Sequence, residues 1–295
     1  MIDFNRRDLR SKIIGEGIRA INDGDRSRLD TAVKNAKEQY FLDLAEYIIA
    51  YDEFKHKNFP TALQHLENAL TLDPNFPQAH LVKSTLFIEM GKYEDAIKSI
   101  DYSLQNLVLL SYAGFYNNKG VAFSRLGRLD EALFCYLRAI ESDKNYDMAY
   151  RNSLLVFAEK GAWLDLLTIA QTIRQNFSKN PDFLNGTAVT LLNFAESLFR
   201  EGNLDLSNNL LEEAGKQLEI AIGLQPENNS ILYNLSCFYS RSNKRPEAIE
   251  TLKKALEKAP SNDIRMGLLQ TAHDDVDFAN IREDPLFKEL LAVPT

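Results

Sequence analysis

The sequence predicts an all-α chain, a right-handed α-solenoid of about six helical hairpins with helical caps at both ends. Three observations predict it. A turn phrase, Gly91-Lys-Tyr-Glu-Asp-Ala96, returns as Gly127-Arg-Leu-Asp-Glu-Ala132 and, altered, as Asn243-Lys-Arg-Pro-Glu-Ala248. A closing phrase, Leu70-Thr-Leu-Asp-Pro74, is echoed by Ile222-Gly-Leu-Gln-Pro226 and Leu256-Glu-Lys-Ala-Pro260, and 260 − 226 gives a period of 34. Between these phrases small residues stand at regular helical intervals among bulky apolar ones. Such a period is one helix-turn-helix unit, which buries its apolar face only against its neighbours.

The elements follow in order. Residues 1–42 read as an N-terminal hairpin cap: Leu9, Ile13, Ile14, Ile18 and Ile21 form one helical stripe, and Leu29, Val33, Ala36 and Tyr40 a second. The repeat array occupies 43–262. Its first repeat, 43–76, carries Ala50, Ala62, Ala69 and Pro74; its second, 77–112, carries Ser84, Gly91, Ala96 and Ser103 and a two-residue insertion near Val108-Leu-Leu110.

The third repeat, 113–146, is the clearest. Tyr116 is followed by Gly120, Phe123 and the turn residue Gly127, then by Ala132, Tyr136 and Ala139. Gly120 and Ala132 stand where the two helices cross, so a large side chain there forces the axes apart. Phe123 and Tyr136 fill the space that the small residues leave, and Gly127 suits the left-handed backbone that ends a helix. This spacing resembles the tetratricopeptide repeat (TPR), and the resemblance covers about 43–262.

The fourth repeat, 147–180, keeps Gly161 at its turn but sets Leu154, Leu166 and Ile173 at three positions that favour small residues. The fifth, 187–228, holds Ala195 and Gly202 but reaches Ala214 seven residues late, since 214 − 202 is 12 where 96 − 91 is 5. The extra residues imply a longer turn or about two more helical turns. The sixth, 229–262, holds Ser236, Tyr239, Ala248, Ala255 and Pro260. Residues 263–295 read as capping helices, in which Phe278 to Phe287 resembles the closing element of bacterial repeat proteins of this type.

Composition narrows the function. The net charge of −8 opposes non-specific binding to phosphate backbones, and the local excess at Arg6, Arg7, Arg10, Lys12 and Arg19 is diluted by Asp3, Asp8 and Glu16. No nucleic-acid partner is expected. No apolar run approaches the roughly 20 residues needed to span a bilayer, so no membrane insertion is expected. The charged first ten residues do not read as a signal peptide. With Cys135 and Cys237 far apart, a reducing cytoplasm and two free thiols are expected. The Asn-x-Ser/Thr triplets at Asn176, Asn185, Asn228 and Asn234 are then unused.

The four histidines, His56, His65, His80 and His273, stand in no metal-ligand or triad spacing. His80 occupies a bulky packing position and His65 a solvated one, while Trp163 is expected in the core. Gly15-Glu-Gly17 lacks the flanking strand of a phosphate loop, and Asp274-Asp-Val-Asp277 lacks the glycine and distal glutamate of a calcium loop and reads as a solvated turn. No catalytic residue, metal ligand or cofactor is expected, and the chain reads as a non-enzyme.

The resemblance implies a concave face lined by the first helix of each hairpin, where a peptide of a partner protein docks. Helical periodicity places Tyr47, Tyr51, Asn117, Arg125, Arg151, Arg200, Tyr233 and Arg241 on it. Its N-terminal part is aromatic. Four arginines make its C-terminal part basic, which suits an acidic peptide or a chain terminus. The Lys/Asn clamp by which some TPR proteins hold chaperone C-termini is missing, because the corresponding places hold Tyr47, Tyr51 and Val82. The expected function is a scaffold or adaptor. The alternatives are an accessory or self-associating subunit that uses cap or edge surfaces, with the groove partly blocked by its own terminus, and a docking subunit for an enzyme in another chain.

Overall fold

The structure is a computed structural model; it describes residues 2–106 and 111–292, with side chains from residue 6 onward. The described residues form α-helices joined by short turns, with no strand among them. The chain divides into two compact bodies, 1–149 and 150–295.

The N-terminal body opens with α1 (Ile2–Asp23) and α2 (Arg26–Glu38), which pack on each other. Three repeats follow as α3 (Leu42–Lys55) with α4 (Phe59–Leu72), α5 (Pro77–Glu89) with α6 (Tyr93–Asn106), and α7 (Ala113–Arg125) with α8 (Leu129–Ser142). The insertion near Val108-Leu-Leu110 lies outside the described residues. Each helix packs on the next, and first helices also touch first helices, α3 on α5 and α5 on α7. The cap joins the same core: Ile13, Leu29 and Ala36 pack with Leu44, Ile48 and Leu66, and Gly17 lets α1 approach Ile48. Arg10 of α1 stands 2.5 Å from Asp43 and 3.3 Å from Asp73.

One residue of the expected cap stripe fails. Tyr40 takes φ 58° and is 84% exposed, because it forms the left-handed turn after α2; Phe41 is buried in its stead.

The C-terminal body holds most of α9 (Asp147–Glu159), then α10 (Trp163–Asn176), α11 (Pro181–Arg200), α12 (Leu204–Leu224), α13 (Asn229–Arg241) and α14 (Arg245–Glu257). It closes with α15 (Asn262–Asp274), a 3-10 turn at Val276–Phe278, and α16 (Pro285–Leu291). The fourth repeat is a helical hairpin in spite of its sequence, and Leu154, Leu166 and Ile173 are fully buried in it. The fifth differs from expectation at its start: α11 begins at Pro181, with Asn180 accepting a hydrogen bond from the Phe183 amide as its cap, rather than near Thr187. The seven added residues are helical and lengthen α12.

Turn chemistry follows the phrase that defines the period. Gly91, Gly127, Gly161 and Gly202 take φ between 67° and 80°, while Lys57 and Asn243 adopt the same conformation at 62° and 58°. Asparagine tolerates that region better than lysine, so the altered phrase at Asn243 keeps its turn. Trp163 is half-buried, edge-on to Phe194, instead of fully in the core. His65 is not simply solvated, since its Nδ1 lies 2.7 Å from Glu46.

Candidate peptide-binding face

In the N-terminal body the first helices bury much of what the sequence assigns to the groove. Tyr47 is 3% exposed, packed on Phe76 at 4.9 Å and Tyr51 at 6.4 Å between ring centres, and burial raises its hydroxyl pKa. It is core, and no ligand reaches its ring. Tyr51 is half-buried beside Phe54. Asn117 is 1% exposed on α7, and Arg125 is exposed at the end of that helix. Asn118, which was not singled out, donates to Ser84 and Thr85 at 3.0 and 2.8 Å and ties α7 to α5. Of the four residues assigned here, only Tyr51 and Arg125 offer a side chain to a ligand.

The C-terminal body keeps more of the face open. Arg151 of α9 is exposed yet placed: its guanidinium lies over the Phe183 ring at 5.0 Å. A methyl added to Gly186 would sit 3.3 Å from Arg151, so the small residue makes room for it. Leu155, one turn on, is 52% exposed. Along α11 the same face carries Asn185, Val189, Asn193, Glu196 and Arg200 at helical spacing. Asn234 of α13 donates to Asn185 at 2.8 Å, which holds the two first helices in register. Arg200 is exposed and bonded to Glu196 at 2.7 Å.

The two remaining assignments, Tyr233 and Arg241, are covered. Tyr233 is 8% exposed and donates its hydroxyl to Asp275 at 2.8 Å. The Arg241 guanidinium donates to the Leu192 carbonyl at 2.7 Å and to Glu196 at 2.5 Å, and stands 3.3 Å from Asp277. The turn expected to be solvated therefore lies on α13, and the acidic groups that meet these side chains come from the chain itself. Phe278 is fully buried there, edge-on to Tyr233 at 5.9 Å.

Cys237, Asp275 and Asp277 bring three ligating atoms within 4.8 Å of one another. Protein donors already engage this set: Tyr233 and Arg241 take up the carboxylates, and burial pushes the Cys237 thiol well above its ordinary value, so it stays a neutral thiol. Burial also raises the Asp277 carboxyl in spite of Arg241 nearby.

Sequence reasoning missed Asn185 because it started the fifth helix six residues late, since 187 − 181 is 6, and it also passed over Val189 and Asn193. The signal was Asn180-Pro181, an N-cap followed by proline at the first helical position. It also missed Gly215, where an added methyl would come within 2.3 Å of Phe238.

A wheat Hsp70-Hsp90 organizing protein is 24% identical over 217 residues, covering 70% of this chain and 34% of its own length. YpiA of Bacillus subtilis, a TPR repeat-containing protein, is 23% identical over 207 residues, covering 69% of this chain and 44% of its own. Human protein O-mannosyl-transferase TMTC3 is 24% identical over 227 residues, 75% of this chain and 22% of its own. The chain thus spans less than half the length of these relatives. The C-terminal part of a TPR repeat-containing protein from Cytophaga hutchinsonii superposes with a TM-score of 0.56 at 15% identity, over 83% of this chain and 92% of that one. PilF of Pseudomonas aeruginosa gives 0.55 at 13%, over 77% and 96%. These structures share the fold. Models of the tetratricopeptide repeat match residues 53–101, 113–146 and 199–263, and with the helix pairs described above they show that the chain belongs to the tetratricopeptide repeat family.

Proposed function

We propose that this chain is a non-catalytic adaptor that holds an extended peptide of a partner protein against the first-helix face of α9 and α11. The observation that carries the reading is Arg151, an exposed arginine fixed over Phe183 and seated on Gly186, beside the exposed Leu155. A guanidinium held in place loses less freedom when it pairs with a carboxylate than one on a free stem. Leu155 supplies an apolar contact and Asn193 an amide for the peptide backbone. An acidic residue followed by an apolar one suits this order.

The wheat organizing protein's name supports an adaptor role, and the B. subtilis protein and the Cytophaga structure are named as TPR repeat-containing proteins. The transferase name belongs to a protein of which this chain spans 22%, so it gives no reason to assign transfer chemistry here. Residence in the cytoplasm is part of the proposal and rests on the two buried thiols.

Affinity capture with the full chain and with Arg151→Glu/Asn193→Ala tests it. The double variant is expected to lose a subset of captured proteins while its helical circular dichroism is unchanged. An unchanged set sinks the reading. A second reading, association through the C-terminal cap, is favoured by one observation: Leu286 is 62% exposed beside Ile249 and Leu290 in a cleft between α14 and α16. Leu286→Lys would then lower the molecular mass measured in solution.

A further inference from the structure

Residues 275–280 cross the first-helix face of α13 as a strap, and their contacts are those of a bound peptide. Asp275 accepts from the Tyr233 hydroxyl and Asp277 faces Arg241. Phe278 is a buried aromatic anchor, and the Asn280 amide donates to the Ser240 carbonyl while its oxygen accepts from the Ser240 hydroxyl, both at 2.6 Å. The strap also leans on its own cap, with Phe278 5.4 Å from the Phe287 ring and Arg282 donating to the Asp275 carbonyl at 2.8 Å, but its outer side is open. Val276 is 55% exposed. Clefts open on both sides, one lined by Asn193, Asn234 and Asp275, the other by Phe199, Ser207 and Asn280. The helix that leads into it, α15, buries only Leu269 and Ala272. The Asp277 carboxylate is also set near Glu196 and Asp275, so Arg241 has to offset like charges as well as burial.

We infer that residues 275–278 are an internal ligand that closes the α13 end of the peptide face, and that a partner peptide with the same Asp-x-Asp-Phe pattern displaces them. The inference rests on the peptide-face reading above and sharpens its partner class. Displacement exchanges like for like: two carboxylates for two carboxylates on Tyr233 and Arg241, and one phenyl ring for another. The apparent affinity of the incoming peptide is then lowered by the fraction of molecules in which the strap is seated.

The probe is a synthetic peptide of this chain's residues 273–283, labelled at its N-terminus and offered to the full chain. Two side chains report on the strap. Cys237 lies beneath it, with Sγ 3.9 Å from Asp275, so alkylation of that thiol requires opening. Trp163 of α10, against Phe194, reports whether the body stays folded. The variants are Asn280→Ala, which removes both bonds to Ser240, and Phe278→Ala, which removes the anchor. Either variant is expected to bind the peptide at least about ten-fold more tightly than wild type, the shift that follows when the seated strap no longer competes. Cys237 should be alkylated faster with Trp163 emission unchanged. The same peptide carrying Asp275→Asn and Asp277→Asn should lose that gain.

Three results overturn the inference. They are peptide binding to both variants no tighter than to wild type, Cys237 reacting in every form only as Trp163 emission changes, and the neutral peptide binding as well as the acidic one. The peptide-face reading is judged separately, by the capture result with Arg151→Glu/Asn193→Ala. Insensitive capture removes that reading, whereas sensitive capture with no peptide gain removes only the strap.

Discussion

At Gly120 one methyl group sets two effects against each other. An added Cβ would lie 2.5 Å from the Tyr136 ring and 3.1 Å from the Ala132 carbonyl. Alanine gains about 1 kcal/mol of helix propensity over glycine, but overpacking costs about 1–3 kcal/mol, so Gly120→Ala should lower stability. Gly267 in α15 has nothing within 4 Å of the same added atom. There only propensity acts, and Gly267→Ala should stabilise by about 0.5–1 kcal/mol. Urea unfolding of both variants checks the pair; shifts of the same sign would refute the steric reading. His80 gives a second residue-level prediction. Burial lowers its pKa below 6.5, against the opposing effect of its Nε2 bond to the Pro74 carbonyl at 2.9 Å. The unfolded chain therefore takes up the proton first, and the stability due to neutral His80 is lost as pH falls below about 6.5. His80→Phe should flatten that loss when urea midpoints at pH 7.5 and 5.5 are compared. Gly120 was legible because its neighbours repeat a known spacing. Gly215 was not, because Phe238 belongs to the following repeat and no spacing within one repeat records that approach.

The lengthened fifth hairpin is where element-level reading ran out. The count of extra residues was plain in the sequence, but whether they looped or coiled depends on partners far along the chain. In the structure Glu213 of α12 is 3% exposed and accepts from Arg174 of α10 at 2.8 Å. Gln217 donates to the Ala170 carbonyl at 3.0 Å and accepts from Thr187 of α11 at 2.5 Å. One buried polar network thus fixes three helices, and it needs α12 to be helical through these positions. Glu213 is buried while Arg174 is partly exposed, so removing the arginine leaves a buried carboxylate without compensation. Arg174→Met should accordingly cost about 3–5 kcal/mol, and Arg174→Met/Glu213→Leu should recover most of it. Trp163 fluorescence during urea unfolding measures both. If the single variant loses under about 1 kcal/mol, the pair is a surface contact in effect and the network does not hold the hairpin. The turns, by contrast, were legible one by one, because a left-handed residue after a helix is a local requirement that Gly127 or Asn243 meets alone.

For the whole molecule, period and cap stripes gave the order of the helices, since stacked repeats meet only their neighbours. The candidate face was half legible. Periodicity put Tyr51, Arg125, Arg151 and Arg200 at accessible positions, yet it could not see that Tyr47 would be packed by Phe76 or that Asp275 and Asp277 would return to α13 from some 40 residues away. Charge balance is a property at this same scale, and it makes a last prediction. The chain carries a net −8, and the 273–283 peptide carries four carboxylates against one guanidinium. Their long-range interaction is repulsive, although Arg241 attracts the peptide once it is seated. Salt screens the first over about 10 Å at 0.1 M and reaches the buried contact far less. Net fields govern the rate of encounter, while buried pairs govern the rate of departure. For Asn280→Ala, the association rate constant with this peptide should therefore rise roughly two-fold or more between low and 0.3 M salt, with little change in dissociation. Stopped-flow mixing of labelled peptide separates the two constants. A rate that falls with salt would mean that the arginines steer the peptide from a distance, and that the overall negative charge is not what limits its approach.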